Sequence, residues 1–564
     1  MSNHNSPGGL PDEAADHAVD SVAGTEPIGI PSLLGAMREV AAVFAQVGAV
    51  RRSGRNLAGN LTHIARGAAP LTPDKKDWRF ADAAWSENPL FRRVGQSYLA
   101  GCSFVDELVD ELDAKGRDTT GARFLLSVLT TAAAPTNSLL GNPPALKRAL
   151  ETHGASVVRG ARNFASDVIH NGGMPSSVDR AALQVGRDLA LTPGAVIQRD
   201  EYAELLQYTP STPTVSERPL LVIPPPIGRY YFLDLAPGRS FLEHSVAQGQ
   251  QTFVMSWRNP GRKQANWNLD TYAQRVLSAI DAVREVTGSP DVNLAGFCAG
   301  GMLMTLVLNH LAAISDDRVH SATYAVTLLD FGGEAPIRAF SAPKLLRFAQ
   351  WNSGRQGIIG ARSMGTVFAF MRPNDLVWNY WVNNYLMGNP PPVFDILAWN
   401  ADGTNLPAAL HRQFLDIFQN NTLCEPNRVV ALGTPVDLSR IKVPIYVTGA
   451  STDHLTPWTE CYRTTQLLNG PATFILSNAG HIQSLINPPD NPKASYLAGP
   501  DPGPDPEGWR RQATLHKGTW WTHWSAWITE QGGAKIRAPR RLGNRAYPPL
   551  QPTPGKYVQQ AAGR

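Results

Sequence analysis

Cys298 stands between two glycines in Gly296-Phe297-Cys298-Ala299-Gly300, directly after the apolar run Val292-Asn293-Leu294-Ala295. The stretch reads as a short buried strand, a sharp turn and the start of a helix, with cysteine at the tip of a G-x-C-x-G nucleophile elbow. A residue at such a tip is held in strained backbone geometry, and only small neighbours let strand and helix approach closely enough. Its sulfur would project at a helix N-terminus, where the helix dipole and free N–H groups favour thiolate over thiol. The chemistry on offer is nucleophilic attack, with the same amides able to receive a developing oxyanion. The competing reading is a buried cysteine acting as a small hydrophobe at a glycine-rich strand end. With 49 Gly and 4 Cys in 564 residues, composition alone supplies about 0.03 such matches, which weighs against coincidence.

Two later segments supply what a thiol nucleophile lacks. Pro444-Ile445-Tyr446-Val447-Thr448-Gly449 reads as a strand leading to Asp453-His454, and Thr473-Phe474-Ile475-Leu476 as a strand leading to Gly480-His481. Nucleophile, acid and histidine then follow in chain order, each after a strand, as in an α/β-hydrolase triad. His481 would take a proton from thiol or substrate hydroxyl, and Asp453 would fix its tautomer and orientation. Alone, an Asp-His pair is usually a turn and a Gly-His usually structural; three elements in order are less often accidental.

The elements that must position these residues follow an α/β rhythm. Leu220 to Ile223, stopped by Pro224-Pro225-Pro226, and Thr252 to Met255 read as buried strands. An amphipathic helix from Asp270 to Val286, ended by Gly288, precedes the elbow strand, and Ala322 to Leu329 continues the series. A mostly parallel sheet follows, with its active site at the carboxyl ends of the strands. The expected division is a disordered tail over 1–33, a helical N-terminal domain over 34–205, a catalytic domain over 206–533 and a C-terminal tail over 534–564. An aromatic-rich insert over about 334–441, carrying Trp351, Trp378, Trp381, Tyr385 and Trp399, reads as a cap. Its aromatics line an apolar channel, form a dimer contact, or are the cap's own core.

Composition bounds the rest. A net charge of +4 gives no global argument for nucleic acid. Cys102, Cys298, Cys424 and Cys461 lie far apart without a C-x-x-C pair, which argues against zinc and a disulfide framework and suits a reducing cytoplasm. No metal or organic cofactor is implied by any cluster. The N-terminus has no apolar run, so no secretory signal is expected, and no stretch approaches membrane-span length.

From about Asn88 to the C-terminus the chain resembles the polyhydroxyalkanoate (PHA) synthases. The matching segments are Gly59-Asn60-Leu61-Thr62-His63, Ala134-Pro135-Thr136-Asn137, Arg372-Pro373-Asn374-Asp375, Trp378-Asn379-Tyr380-Trp381, Trp399-Asn400, Leu406-Pro407, Asp453-His454-Leu455-Thr456-Pro457-Trp458, and the tail Gly543-Asn544-Arg545 with Tyr547-Pro548-Pro549. The stretch from Asn374 to Asn384 looks most like the single-subunit, medium-chain (class II-like) type. The resemblance implies an α/β-hydrolase fold with a large inserted cap and an N-terminal helical domain. It also implies catalysis by Cys298, Asp453 and His481, with backbone oxyanion donors at Ala299 and Ile227. Histidine also follows the acid in the family, so His454 is a candidate to support the acid or the loop, with loop packing the plainer role. The chain departs from the family at Ile227-Gly228-Arg229, where Ile-Asn-Lys is usual before the aromatic pair Tyr230-Tyr231.

The implied chemistry is repeated acyl transfer from (R)-3-hydroxyacyl coenzyme A to a growing polyester with release of coenzyme A. A homodimer acting in the cytoplasm at the surface of PHA granules is the family's implication for partners. Lys535, Arg537, Arg540 and Arg541 read first as a solvated face and second as a contact for coenzyme A phosphates or an anionic granule coat. A cysteine-dependent thioesterase or depolymerase is the competing enzyme, and a non-catalytic granule-surface scaffold the competing class.

Overall fold

The computed structural model describes residues 30–75, 77–117, 119–179, 181–333, 350–351, 353–371, 373–453 and 455–560. The chain forms two compact units, one from 28–179 with 367–392 and the other from 180–366 with 393–564. The expected tail over 1–33 lies outside the described residues up to residue 29, and the first described element is the helix Ile30–Phe44.

The first unit is helical. Asn88 and Asn142 each sit before a proline and cap the helices Pro89–Asp113 and Pro143–Glu151, their side chains accepting first-turn amides. Val43, Leu108, Val109, Leu112 and Leu126 form one core cluster where the first long helices meet. Part of the stretch expected to be a cap belongs to this unit. Tyr385 donates to Asp167 at 2.7 Å, the Trp381 indole to the Asn137 carbonyl at 3.0 Å, and Asn163 to the carbonyls of Asn384 and Asn389. Asn374 and Asp375 accept from Arg79 and Trp78, so these motifs and the Trp381 to Tyr385 stretch are anchors within the helical unit, a role that sequence periodicity does not reveal.

The second unit is built on an eleven-stranded sheet. Its strands are β1 (Gly194–Arg199), β2 (Ala203–Tyr208), β3 (Leu220–Ile223), β4 (Thr252–Trp257), β5 (Val292–Phe297), β6 (Val319–Ala325), β7 (Ile445–Ala450), β8 (Ala472–Ser477), β9 (Ser495–Ala498), β10 (Thr514–Lys517) and β11 (Gln551–Pro552). The order is β10-β9-β8-β7-β6-β5-β3-β4-β2-β1-β11. The six strands from β8 to β4 in that order are parallel, and antiparallel strands extend both ends. Strands β3, β4, β5 and β7 are buried at every position, as their continuous apolar runs require when helices cover both faces.

The catalytic unit starts earlier and ends later than its sequence boundaries. β1 and the first half of β2 fall inside the stretch expected to be helical, because their antiparallel pairing extends the sheet beyond the strand–helix rhythm. The expected C-terminal tail is tied down as well. Lys535–Arg537 pairs with Thr214–Ser216, and β11 pairs with β1. Among the described residues no helix is long and apolar enough to cross a membrane.

Register aligns the strand ends that matter. Phe297 pairs with Ala325, the last residue of β6, and Ala325 pairs with Thr448 of β7, which pairs with Ile475 of β8. The loops after β5, β7 and β8 thus emerge at the same edge of the sheet, with β6 between the first two. The helix Ala299–Ala313 after β5 is buried on almost every side. A Cβ on Gly300 would lie 2.1 Å from the Ile223 carbonyl oxygen of β3.

Gly300→Ala is expected to lower the urea-unfolding free energy by about 1–3 kcal/mol, because the helix must move off β3. Gly365→Ala, where an added Cβ meets nothing, leaves it unchanged or slightly raised. Equal effects of the two changes would refute the close-approach argument.

Candidate active site

Cys298 has φ 50° and ψ −125° and forms the junction between β5 and the helix Ala299–Ala313. A non-glycine residue seldom adopts that backbone, so the surroundings must hold it there. Its N–H donates to Ala325 O at 2.9 Å, and its carbonyl accepts from Gly301 N at 2.9 Å and Thr327 Oγ1 at 3.0 Å. Gly296 and Gly300 are glycines because a Cβ would meet Gly301 Cα at 2.5 Å and Ile223 O at 2.1 Å, respectively. The G-x-C-x-G spacing is the signature of these two contacts. The Cys298 side chain is half-buried at the helix N-terminus.

His481 opens the short helix after β8, and the Trp520 indole donates to the Ser484 carbonyl of that helix at 2.7 Å. Asp453 follows β7 in a turn closed by its N–H to Ala450 O. The two buried side chains meet with His481 Nδ1 2.7 Å from Asp453 Oδ2. A carboxylate only accepts, so Nδ1 carries the hydrogen and Nε2 is the basic nitrogen. The other carboxylate oxygen accepts the amides of Leu455 and Thr456 at 2.8 and 2.9 Å.

Burial alone would depress the His481 pKa and raise that of Asp453. Their mutual attraction overcomes this, so His481 stands well above its ordinary value and Asp453 below its own. Cys298, near enough to act on the imidazole, also raises it. Nε2 is buried without a hydrogen bond of good geometry, which leaves it available on the Cys298 side. The remaining thiols are unsuited to the same role. Burial pushes Cys102 up, Cys424 up to about 12, and Cys461, whose thiol donates to the Thr456 carbonyl, well above its ordinary value.

The two expected oxyanion donors lie at the starts of the segments that follow β5 and β3. Ala299 is the first residue of the elbow helix, and Ile227 follows the proline run after β3, the strand that Gly300 touches. Neither amide donates to another described residue. His454 lies outside the described residues. Among the described residues no group of His, Cys, Asp and Glu is arranged to hold a metal ion.

Two supporting residues escaped the sequence reading. Thr456 Oγ1 donates to Asp453 Oδ2 at 2.5 Å and lies 3.1 Å from His481 Nδ1. Its spacing three residues after an aspartate is that of a local side-chain turn, a usable signal. Thr327, which holds the Cys298 carbonyl, had no such signal, since it comes from a neighbouring strand end.

Comparison with known proteins gives the family. The family described as poly-beta-hydroxybutyrate polymerase (PhaC) N-terminus matches residues 76–245, and the alpha/beta hydrolase fold matches 233–488. Poly(3-hydroxyalkanoate) polymerase 1 of Ectopseudomonas oleovorans is 44% identical over 500 residues, 89% of each chain. Polymerase 2 of the same organism is 45% identical, covering 89% of this chain and 90% of that one. The poly(3-hydroxyalkanoate) polymerase subunit PhaC of Cupriavidus necator is 38% identical over 95% of this chain and 92% of its own. With its hydrolase-fold sheet, its helical N-terminal region and relatives of this identity along nearly its whole length, the chain belongs to the poly(3-hydroxyalkanoate) polymerase family.

Proposed function

We propose that this acyltransferase polymerises (R)-3-hydroxyacyl groups from their coenzyme A thioesters, with Cys298 as nucleophile. The observation that carries the mechanism is the buried Asp453–His481 pair, 2.7 Å apart, with its free Nε2 on the side of the elbow cysteine. Nε2 takes the Cys298 thiol proton, and the thiolate attacks the thioester carbonyl. The amides of Ala299 and Ile227 receive the oxyanion, and the coenzyme A sulfur leaves with the proton from His481. One thioester replaces another at little cost in free energy, so the acyl group stays activated. The 3-hydroxyl of a second acyl unit then gives its proton to His481 and attacks, forming the ester and restoring the thiolate.

The finer type follows from the same resemblance. Identities of 44% and 45% to the two E. oleovorans polymerases, against 38% to the C. necator subunit, support the single-subunit, medium-chain reading. A homodimer at the surface of cytoplasmic PHA granules, built from (R)-3-hydroxyacyl coenzyme A, completes the proposal.

Purified protein given (R)-3-hydroxyoctanoyl or (R)-3-hydroxybutyryl coenzyme A is expected to release thiol and form polymer, faster from the longer substrate. Free acid in place of polymer would make it a thioesterase, and no thiol release a scaffold. Cys298→Ala abolishes both products with the fold intact. Cys298→Ser leaves little activity, while Cys102→Ala, Cys424→Ala and Cys461→Ala keep the chemistry; polymer from Cys298→Ala removes that residue as nucleophile.

Asp453→Asn impairs elongation, and a normal polymer yield from it would refute the assigned role. The same variant tests the electrostatics. Asp453 is depressed, so its stabilisation is complete above its ordinary value of about 3.9 and is lost as pH falls through the lower folded value. His481 is raised, so its share is complete below about 6.5 and is lost as pH rises through the folded value. The stability gap between wild type and Asp453→Asn is therefore widest between about pH 4 and 6.5. A gap that does not shrink on further acidification contradicts the assignment.

A further inference from the structure

We infer that Arg229 clamps the loop carrying Ile227 to the C-terminal segment, so that the final turn of the described chain sets the position of an oxyanion donor. The inference rests on the reading of Ile227 given above and adds to it a positioning residue more than three hundred positions from its anchor.

Arg229 lies two residues after Ile227, and its side chain is 1% exposed. Nη1 donates to the Tyr557 carbonyl at 3.0 Å, and Nη2 donates to the Gln560 carbonyl. Those two carbonyls belong to one turn, closed by Gln560 N to Tyr557 O. The nearest carboxylate, Asp402, is 3.5 Å away and partly exposed, and Nε is buried without a partner. The guanidinium is thus held mainly by carbonyl dipoles, a costly way to bury a cation if packing were its only purpose.

The anchor is itself fixed. Lys556 N and Tyr557 N donate to the fully buried Glu204 of β2 at 3.1 and 3.0 Å, and Glu204 also pairs with Arg199 at 2.6 Å. On the other side of the loop, the Trp399 indole donates to the Arg229 carbonyl at 2.8 Å, and a Cβ on Gly228 would lie 3.2 Å from that ring. Gly228 and Arg229 therefore work as a pair. The glycine gives the indole room beneath the loop, and the planar fork of the arginine spans two carbonyls at once. A lysine, with one rotating ammonium, cannot hold both in fixed geometry. The departure from the family's Ile-Asn-Lys is what gives this chain the clamp.

A loop released from this clamp leaves the Ile227 amide misplaced, and an error of about 1 Å in such a group costs up to about 100-fold in rate. The test uses the full-length enzyme and three changes: Arg229→Lys, deletion of residues 557–564, and the two together. Coenzyme A release from (R)-3-hydroxyoctanoyl coenzyme A gives kcat and KM, and urea unfolding gives the folded fraction. Each single change is expected to lower kcat by about 10-fold or more with KM little altered and the protein folded. The combination is expected to be no slower than the deletion alone, because both remove one interaction. Unchanged kcat, multiplying effects, or a loss matching the unfolded fraction each overturn the clamp. Cys298→Ala is measured alongside: activity there overturns the catalytic reading itself, whereas an inactive Cys298→Ala beside a full-rate Arg229→Lys overturns the clamp alone.

Discussion

The sheet unit is arranged around the backbone of one residue, Cys298, which is kept at a positive φ by contacts on three sides. The strain is sustained because the elbow helix cannot relax: its first turns lie against β3 through Gly300 and against its own strand through Gly296. Interiors packed at this density transmit position, so a strained turn between two rigid elements becomes a fixed platform for a sulfur atom. The parallel register then decides what faces that sulfur. β6 and β7 carry the alignment from Phe297 to Thr448, and β8 adds the histidine one strand further on.

Burial works against the acid and the base individually and for them as a pair. An isolated carboxylate as deep as Asp453 would hold its proton, and an isolated imidazole as deep as His481 would shed one. Together, and with two backbone amides and a threonine hydroxyl on the carboxylate, the pair offsets that cost: the carboxyl is held below its ordinary value and the imidazole becomes a stronger base. The geometry leaves His481 a single free nitrogen, on the side of Cys298.

The C-terminal stretch has a structural role that its composition conceals. Polar and proline-rich, it reads as a tail, yet it supplies an edge strand to the sheet, the amides that satisfy Glu204 and the carbonyls that satisfy Arg229. Buried groups of opposite charge, Glu204 and Arg229, both bond to the main chain of one short segment. The aromatic motifs between Asn374 and Tyr385 are similar in kind, since their indole and phenol groups bond to the N-terminal helices.

Features encoded in local spacing were legible from the residues alone. Short apolar runs located β3, β4, β5, β7 and β8 to within two residues, and Gly288 marked the end of the helix Leu269–Thr287, where it adopts φ 72°. The G-x-C-x-G elbow and the strand-end positions of Asp453 and His481 were legible because strand-to-helix turns impose local residue choices. Tertiary structure alone decided the pairing of β1, β2 and β11, the division of the aromatic insert between two units, and the partners of Thr327 and Arg229. Those depend on contacts between residues tens to hundreds of positions apart. An antiparallel edge strand or a carbonyl acceptor leaves no periodicity in the sequence, because any residue's backbone can provide it.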